Sequence, residues 1–144
     1  MNEHPNAEGR RRILFIATGG TLVSAYGEDG LKPHIGPDEL LDRYASAKNF
    51  AAIATCHLSH LDSTNLHPRN WQAMAGVLEK EYGQYDGFVL GHGTDTLSYT
   101  AAALSFALQD IDKPVVLTGS ALSTEHPQSD AERNFTNAIA LAAS

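Results

Sequence analysis

A single cysteine, Cys56, stands among 144 residues, so no disulfide can form within the chain. Positive charge is scarce: ten Lys and Arg against seventeen Asp and Glu leave a net charge of −7, a balance unsuited to nucleic acid or an anionic membrane as a partner. The one basic run, Arg10-Arg11-Arg12, closes a polar stretch over residues 1–12 that reads as a disordered, solvated tail. Long apolar runs are missing as well. Ile13 to Ala17 falls far short of the roughly 20 residues of a membrane-spanning helix, and of a signal-peptide core. Neither G-x-G-x-x-G nor G-x-x-x-x-G-K-[ST] occurs, which argues against the common phosphate-cradling turns. Cys56, His57, His60 and His67 come nearest to a metal set, but neighbours on a strand point to opposite faces, so no metal site is expected. What is left is an ordinary globular composition of one domain's length, expected in the cytoplasm.

Within residues 13–144 the pattern alternates. Ile13-Leu14-Phe15-Ile16-Ala17 is a continuous apolar run, as in a strand covered on both faces. Residues 18–36, with five glycines and Pro33, read as a long loop. Pro37 opens a short helix with acids in its first turn. Ala52 to Leu58 reads as a second strand, Ser59 to His67 as polar loop, and Pro68 as a helix start. Trp71, Met74, Ala75, Leu78 and Tyr82 then follow helical spacing. Gly87 to Leu90 is a third strand. Asp95 is placed to cap a helix over residues 96–109 with a buried Ala- and Leu-rich middle. Pro114 to Thr118 is a fourth strand, and Ala131, Phe135, Ala138, Ile139 and Ala142 give a last amphipathic helix. The order β-α-β-α-β-α-β-α predicts an α/β fold, an open parallel sheet with helices on both faces. No capping glycine or further strand follows the last helix, so the sequence reads as a truncated portion of a longer protein.

In such sheets ligands bind outside the carboxyl ends of the strands. Those ends are residues 18–21, 59–65, 92–95 and 119–123, all rich in hydroxyls, amides or glycine. Thr21 follows Gly19 and Gly20, which permit close backbone approach; it is either a nucleophile or the hydroxyl of an ordinary turn. Thr94 and Asp95 follow Gly93. Asp95 either caps the helix or faces a ligand ammonium, and the two roles are compatible. Asp62-Ser63-Thr64-Asn65 reads as a turn-forming loop or a third ligand contact. His92 reads as a hydrogen-bonded structural residue rather than a base.

Taken together, Thr18-Gly19-Gly20-Thr21, Asp62-Ser63-Thr64-Asn65 with Trp71 behind it, His92-Gly93-Thr94-Asp95-Thr96 and Lys113-Pro114-Val115-Val116-Leu117-Thr118-Gly119-Ser120 resemble the bacterial-type L-asparaginases, type I cytoplasmic branch, from about Ile13 onward. The resemblance implies hydrolysis of L-asparagine to L-aspartate and ammonia, with L-glutamine as a weaker substrate and no cofactor. It makes Thr21 the nucleophile of an acyl-enzyme and Thr94 a second catalytic hydroxyl in a Thr-Lys-Asp proton shuttle. Asp95 would hold the substrate ammonium and Ser63 its carboxylate, with Asp62, Gly20 and Gly93 lining the same pocket. It also implies a homo-oligomer when full length.

Three departures accompany the match. The family's catalytic lysine falls beyond Ser144, and of Lys32, Lys48, Lys80 and Lys113 only Lys32 lies in a loop near the site, so the chain alone is expected to be inactive. Leu31 stands where many members have a flap tyrosine, and Tyr26 is the candidate substitute. Ala121-Leu122-Ser123 replaces the usual glutamine-containing segment. Two alternatives stay open: the amidase subunit of a tRNA-dependent amidotransferase, whose N-terminal extension domain has no counterpart ahead of Ile13, and a non-catalytic amino-acid-binding module.

Overall fold

The computed structural model describes residues 9–27, 30–33 and 35–144, with backbone alone over 24–33. Four strands form one parallel sheet in the order β4-β1-β5-β6: β1 (Arg12–Gly19), β4 (Ala52–Leu61), β5 (Gly87–Gly91) and β6 (Val115–Thr118). β1 lies second in that order, hydrogen-bonded to β4 on one side and β5 on the other. This is why its apolar run is unbroken: Ile13, Leu14, Phe15 and Ile16 are all fully buried, because both faces of the strand are covered.

Side chains alternate between two cores, as the strand period of two requires. Ile13, Phe15, Val89 and Val116 face a layer containing α1 (Pro37–Arg43), the 3₁₀ turn Ala45–Asn49 and α4 (Ala131–Ala142). Leu14, Ile16, Phe88, Leu90 and Leu117 face α2 (Pro68–Glu81) and α3 (Leu97–Ala107). The α/β architecture with helices on both faces is therefore as the alternating pattern predicts. The connection after β1 crosses one face, and those after β4 and β5 cross the other. The chain thus reverses direction across the sheet between β1 and β5, and the carboxyl ends of these two strands frame the topological switch point.

Several boundaries differ from the sequence expectation. Residues 18–36 are not one loop: a 3₁₀ turn, Thr21–Val23, leads into an antiparallel pair, β2 (Ser24–Gly27) and β3 (Gly30–Pro33). Its short, glycine-flanked strands carry no alternating apolar pattern. The side chains of Tyr26, Leu31 and Lys32 lie outside the described residues, as do residues 1–8 of the expected tail. β4 runs three residues past its expected end, to Leu61, with a register shift opposite Ala17 and Gly19. Polar Ser59 lies within that irregular stretch, where its hydroxyl donates to the Thr18 carbonyl at 2.6 Å. β1 begins at Arg12, whose backbone N–H donates to Asp86 at 2.7 Å.

The middle of α3 is less buried than its composition predicts. Only one stripe, Thr100, Leu104 and Leu108, turns inward, while Tyr99 is 67% and Phe106 78% exposed. This helix overlies the outer strand β6, so one stripe suffices to cover the sheet. Asp95 also fails to cap it: Thr96 is the N-cap residue and no side chain makes a cap bond.

Phe135 is the keystone of the first core, fully buried and packed edge-on against Phe15 with ring centroids 4.9 Å apart. Replacing Phe135 with alanine is expected to lower stability by about 3–5 kcal/mol through lost burial and a residual cavity. Urea denaturation of the two proteins measures this, and a loss below about 1 kcal/mol would contradict the packing described.

Candidate active site

The loops at the carboxyl ends of the strands meet through backbone rather than through side chains. Gly19 and Gly20 take φ of +119° and +83°, values costly for any residue with a Cβ. Space is missing as well. A Cβ on Gly20 would collide with the backbone nitrogen and Cα of Gly93, and one on Gly19 with the backbone of Leu61. A Cβ on Gly93 would lie 2.5 Å from the Ser63 hydroxyl oxygen, and one on Gly119 2.5 Å from the His92 carbonyl oxygen and 3.4 Å from Cγ2 of Thr94. Four glycines therefore bring the turns after β1, β4, β5 and β6 into direct contact at one place, the switch point.

Polar ties hold this arrangement. The Thr18 hydroxyl donates to the Gly91 carbonyl at 2.9 Å, joining β1 to β5. The Thr96 hydroxyl donates to the Ser63 carbonyl at 2.8 Å, joining α3 to the loop after β4. After β6, Asp130 accepts from the backbone N–H groups of Ala121 at 3.1 Å and Leu122 at 3.2 Å, and from the Asn134 amide at 2.8 Å. The same Asn134 amide nitrogen donates to the Gly119 carbonyl at 3.0 Å. Partial burial pushes the Asp130 carboxyl up, but these donors outweigh it and hold the group below the ordinary carboxylate value.

The residues singled out in the sequence fall as follows. Gly20 and Gly93 are in contact, Ser63 is buried against Gly93, and Thr94 abuts Gly119. Thr21, half-buried, begins the turn that the Val23 N–H closes onto the Gly20 carbonyl at 3.2 Å. Thr94 and Asp95 are exposed at the mouth. Asp62 is turned to its own loop, accepting from the N–H and the hydroxyl of Thr64, each at 3.0 Å. The loop residues 18–21, 59–65, 91–96 and 119–123 include two carboxylates, Asp62 and Asp95.

Thr18, Ser59, Thr96, Asp130 and Asn134 were not foreseen as holding the site together. The last two carry a legible signal, since Asp130 and Asn134 are four apart on one helical face; the hydroxyl ties carry none. Ser120 and Ser123, both almost fully buried, are the two buried hydroxyls without a hydrogen-bond partner among the described residues. Ser120 lies next to Gly119, on the same edge as Thr94. A separate recess of about 260 Å³, lined by Leu78, Tyr82, Phe88, Leu108, Ile111 and Val115, lies toward the opposite edge of the sheet. Glu79, Gln109 and Asp110 also border it, and none of the candidate site residues does.

The chain is an α/β protein whose hydroxyl-bearing glycine turns meet at the switch point of a parallel sheet, the place where ligands bind in open α/β folds. The chain belongs to the asparaginase family: residues 12–144 match the family described as asparaginase, N-terminal. It is 40% identical over 132 residues to an L-asparaginase of Thermococcus kodakarensis, covering 91% of this chain and 40% of that protein. The solved structure of the thermostable L-asparaginase from that organism superimposes with a TM-score of 0.84 over the same shares of the two chains. L-asparaginase 1 of Escherichia coli K12 is 45% identical over 141 residues, covering 93% of this chain and 41% of its own. A glutamyl-tRNA(Gln) amidotransferase subunit of Aeropyrum pernix is 38% identical over 149 residues, covering 99% of this chain and 34% of its own. The chain thus spans 34–41% of the length of these relatives. Among its described residues, no helix is long and apolar enough to cross a membrane.

Two outcomes follow from this geometry. Gly20→Ala should strip amide hydrogen-exchange protection from residues 91–93, because the new methyl group forces the β1 and β5 turns apart. Gly76→Ala, on α2 with nothing within 4 Å of its Cβ position, should leave that protection intact. Equal protection in the two variants would contradict the contact.

The second outcome concerns His92, which is fully buried. Desolvation pushes its pKa below the ordinary 6.5, outweighing the opposing hydrogen bond to Gly93. Between the folded and unfolded values the unfolded chain binds more protons, so His92's contribution to stability is complete above about pH 6.5 and is lost as pH falls toward the folded value. A proton-NMR titration of the His92 ring should give a midpoint below 6.5. A midpoint at or above it would refute the assignment.

Proposed function

We propose that this chain carries the nucleophile-bearing part of an amidohydrolase that converts L-asparagine to L-aspartate and ammonia, with L-glutamine as a weaker substrate. The observation that carries the reading is the joining of the Thr21 and Thr94 turns through Gly20, Gly93 and Gly119. Family membership and the named L-asparaginase relatives support the substrate class.

In this reading the Thr21 hydroxyl attacks the side-chain amide carbon. Its proton passes to the leaving nitrogen, the C–N bond breaks, and ammonia departs from an ester on Thr21. Water then adds to the ester carbon, and its second proton returns to Thr21 as aspartate leaves. A threonine hydroxyl is a weak nucleophile without a partner base. Thr94 relays the proton toward a lysine supplied by polypeptide beyond this chain. Asp95, on the acid-rich rim, holds the substrate ammonium as a charge-assisted pair. Ser63 takes the substrate carboxylate, and Asp62 acts through its loop by fixing the turn that presents Ser63. The buried Ser120 hydroxyl, without a partner among the described residues, supports a polar ligand at this edge. No metal or organic cofactor enters the reaction. The whole protein works in the cytoplasm as a homo-oligomer.

The A. pernix relative favours one second reading, an amidotransferase component that releases ammonia from an amide donor for use on a tRNA-bound amino acid. Ammonia release from free L-asparagine by the full-length polypeptide, without tRNA or a partner protein, separates the two. On the proposed reading Thr21→Ala and Thr94→Val each lower turnover by roughly 10²–10⁴-fold with the fold intact. Asp95→Asn chiefly raises the Michaelis constant. The 144-residue chain by itself should release ammonia far more slowly than the full-length polypeptide. Near-wild-type activity in the Thr21 or Thr94 variant would overturn the assignment.

A further inference from the structure

Three side chains outside this reaction scheme form a continuous hydrogen-bonded chain that runs from the half-buried Trp71 to the catalytic turn. Trp71 Nε1 on α2 lies 2.9 Å from the Thr100 hydroxyl oxygen on α3. That oxygen lies 2.9 Å from His92 Nε2, and His92 Nδ1 lies 2.7 Å from the carbonyl oxygen of Gly93. His92 and Thr100 have no exposed surface. Donor chemistry alone fixes the direction of the bonds. An indole N–H only donates and a carbonyl only accepts. Facing a carbonyl, Nδ1 must carry the proton of the neutral ring, so Nε2 is the unprotonated nitrogen and Thr100, accepting from Trp71, donates its own proton to it. The proton of the ring then sits on Nδ1 and is donated to Gly93.

What this bond holds is the peptide between Gly93 and Thr94. Gly93 has no side chain to pack, and the place of its missing Cβ is taken by Ser63. Without a side chain, a glycine peptide rotates at little steric cost, so the carbonyl is the available handle. Rotation of this peptide would swing Thr94 and Asp95 together. Thr96, four residues before Thr100 on α3, holds the Ser63 carbonyl. One helix therefore grips both the loop carrying Ser63 and, through His92, the turn carrying Thr94.

We propose that Trp71, Thr100 and His92 are positioning residues: a one-directional hydrogen-bond relay that locks the Gly93–Thr94 peptide and so aims the Thr94 hydroxyl and the Asp95 carboxylate at the substrate. The catalytic consequence rests on the amidohydrolase reading above; the relay does not, because the His92 tautomer reports it without any turnover.

The test has two arms. In the first, a long-range proton–nitrogen NMR spectrum of the 144-residue chain at neutral pH should show His92 as the Nδ1-protonated tautomer alone. Thr100→Ser should keep the Nε2 resonance of a nitrogen that accepts a hydrogen bond, and Thr100→Val should move it to that of a free lone pair. In the second, full-length protein is assayed for ammonia release well below its melting temperature. Thr100→Val should lower kcat per folded molecule by about 10- to 100-fold, the scale of a misplaced catalytic group, and Thr100→Ser should restore it to within about twofold. A purely structural role would lower the melting temperature and leave kcat per folded molecule unchanged. If Thr100→Val does not fold, Trp71→Phe removes only the head donor, which frees the Thr100 hydroxyl to turn away from His92 Nε2, and should lower kcat per folded molecule while Nδ1 stays protonated. An Nε2-protonated His92 in the wild type, or unchanged kcat in folded Thr100→Val or Trp71→Phe, would each overturn the proposal. If the wild-type protein does not hydrolyse asparagine, the reaction assignment falls and the tautomer alone decides the relay.

Discussion

The contact between Gly20 and Gly93 is the constraint on which the rest of the site depends. β1 and β5 are neighbours in the sheet, so their following turns start about one strand spacing apart, near 4.8 Å. Side chains at those turns would wedge them open and separate the hydroxyls they carry. Glycine at both positions lets backbone meet backbone, and the positive φ at Gly19 and Gly20 turns the chain sharply enough to begin the 3₁₀ turn at Thr21. Leu22 and Val23, both buried, then anchor that turn in the core. The chemistry at the edge is thus positioned by absent side chains on one side and by apolar ones on the other.

Much of this was legible in the residues. The alternation of apolar runs with amphipathic spacing predicts the parallel sheet and its two helical layers, because burial on both faces leaves β1 no polar position to interrupt the run. The glycine and threonine turns mark the strand ends for an equally physical reason: only glycine tolerates both the dihedrals and the crowding found there. The order of strands in space is less legible. That β1 lies between β4 and β5, and so that the switch point falls at Gly20 and Gly93, comes from pairing that no local pattern encodes. Asp95 shows the limit at a single residue. An acid ahead of an apolar helical stretch is a sound capping signal, yet the helix starts at Leu97, and the cap residue Thr96 spends its hydroxyl on Ser63 instead. The β2–β3 hairpin shows it again, since four-residue strands bounded by glycine give no periodicity to read.

α3 illustrates how one element serves two demands. Its inward stripe carries threonines as well as leucines. Thr96 and Thr100 face the site end, whereas Leu104 and Leu108 face the second core at the other end. A buried hydroxyl is costly unless bonded, and here each of the two has its partners. The helix therefore trades some apolar burial for directional contacts where geometry has to be fixed, and is purely apolar where only packing is needed. Its outer face, with Tyr99 and Phe106 exposed, meets neither demand within this chain.

The place of β1 in the sheet also bears on how the protein is made. It is the first of these strands to leave the ribosome, and it takes an interior position. The bond from Arg12 to Asp86, at the base of β5, spans 74 positions of sequence. At synthesis rates of about 5–20 residues per second, an apolar strand with no partner on that side waits roughly 4–15 seconds for β5 to appear. During that interval the edge of Ile13 to Ile16 that β5 later covers has its backbone groups unpaired by the sheet.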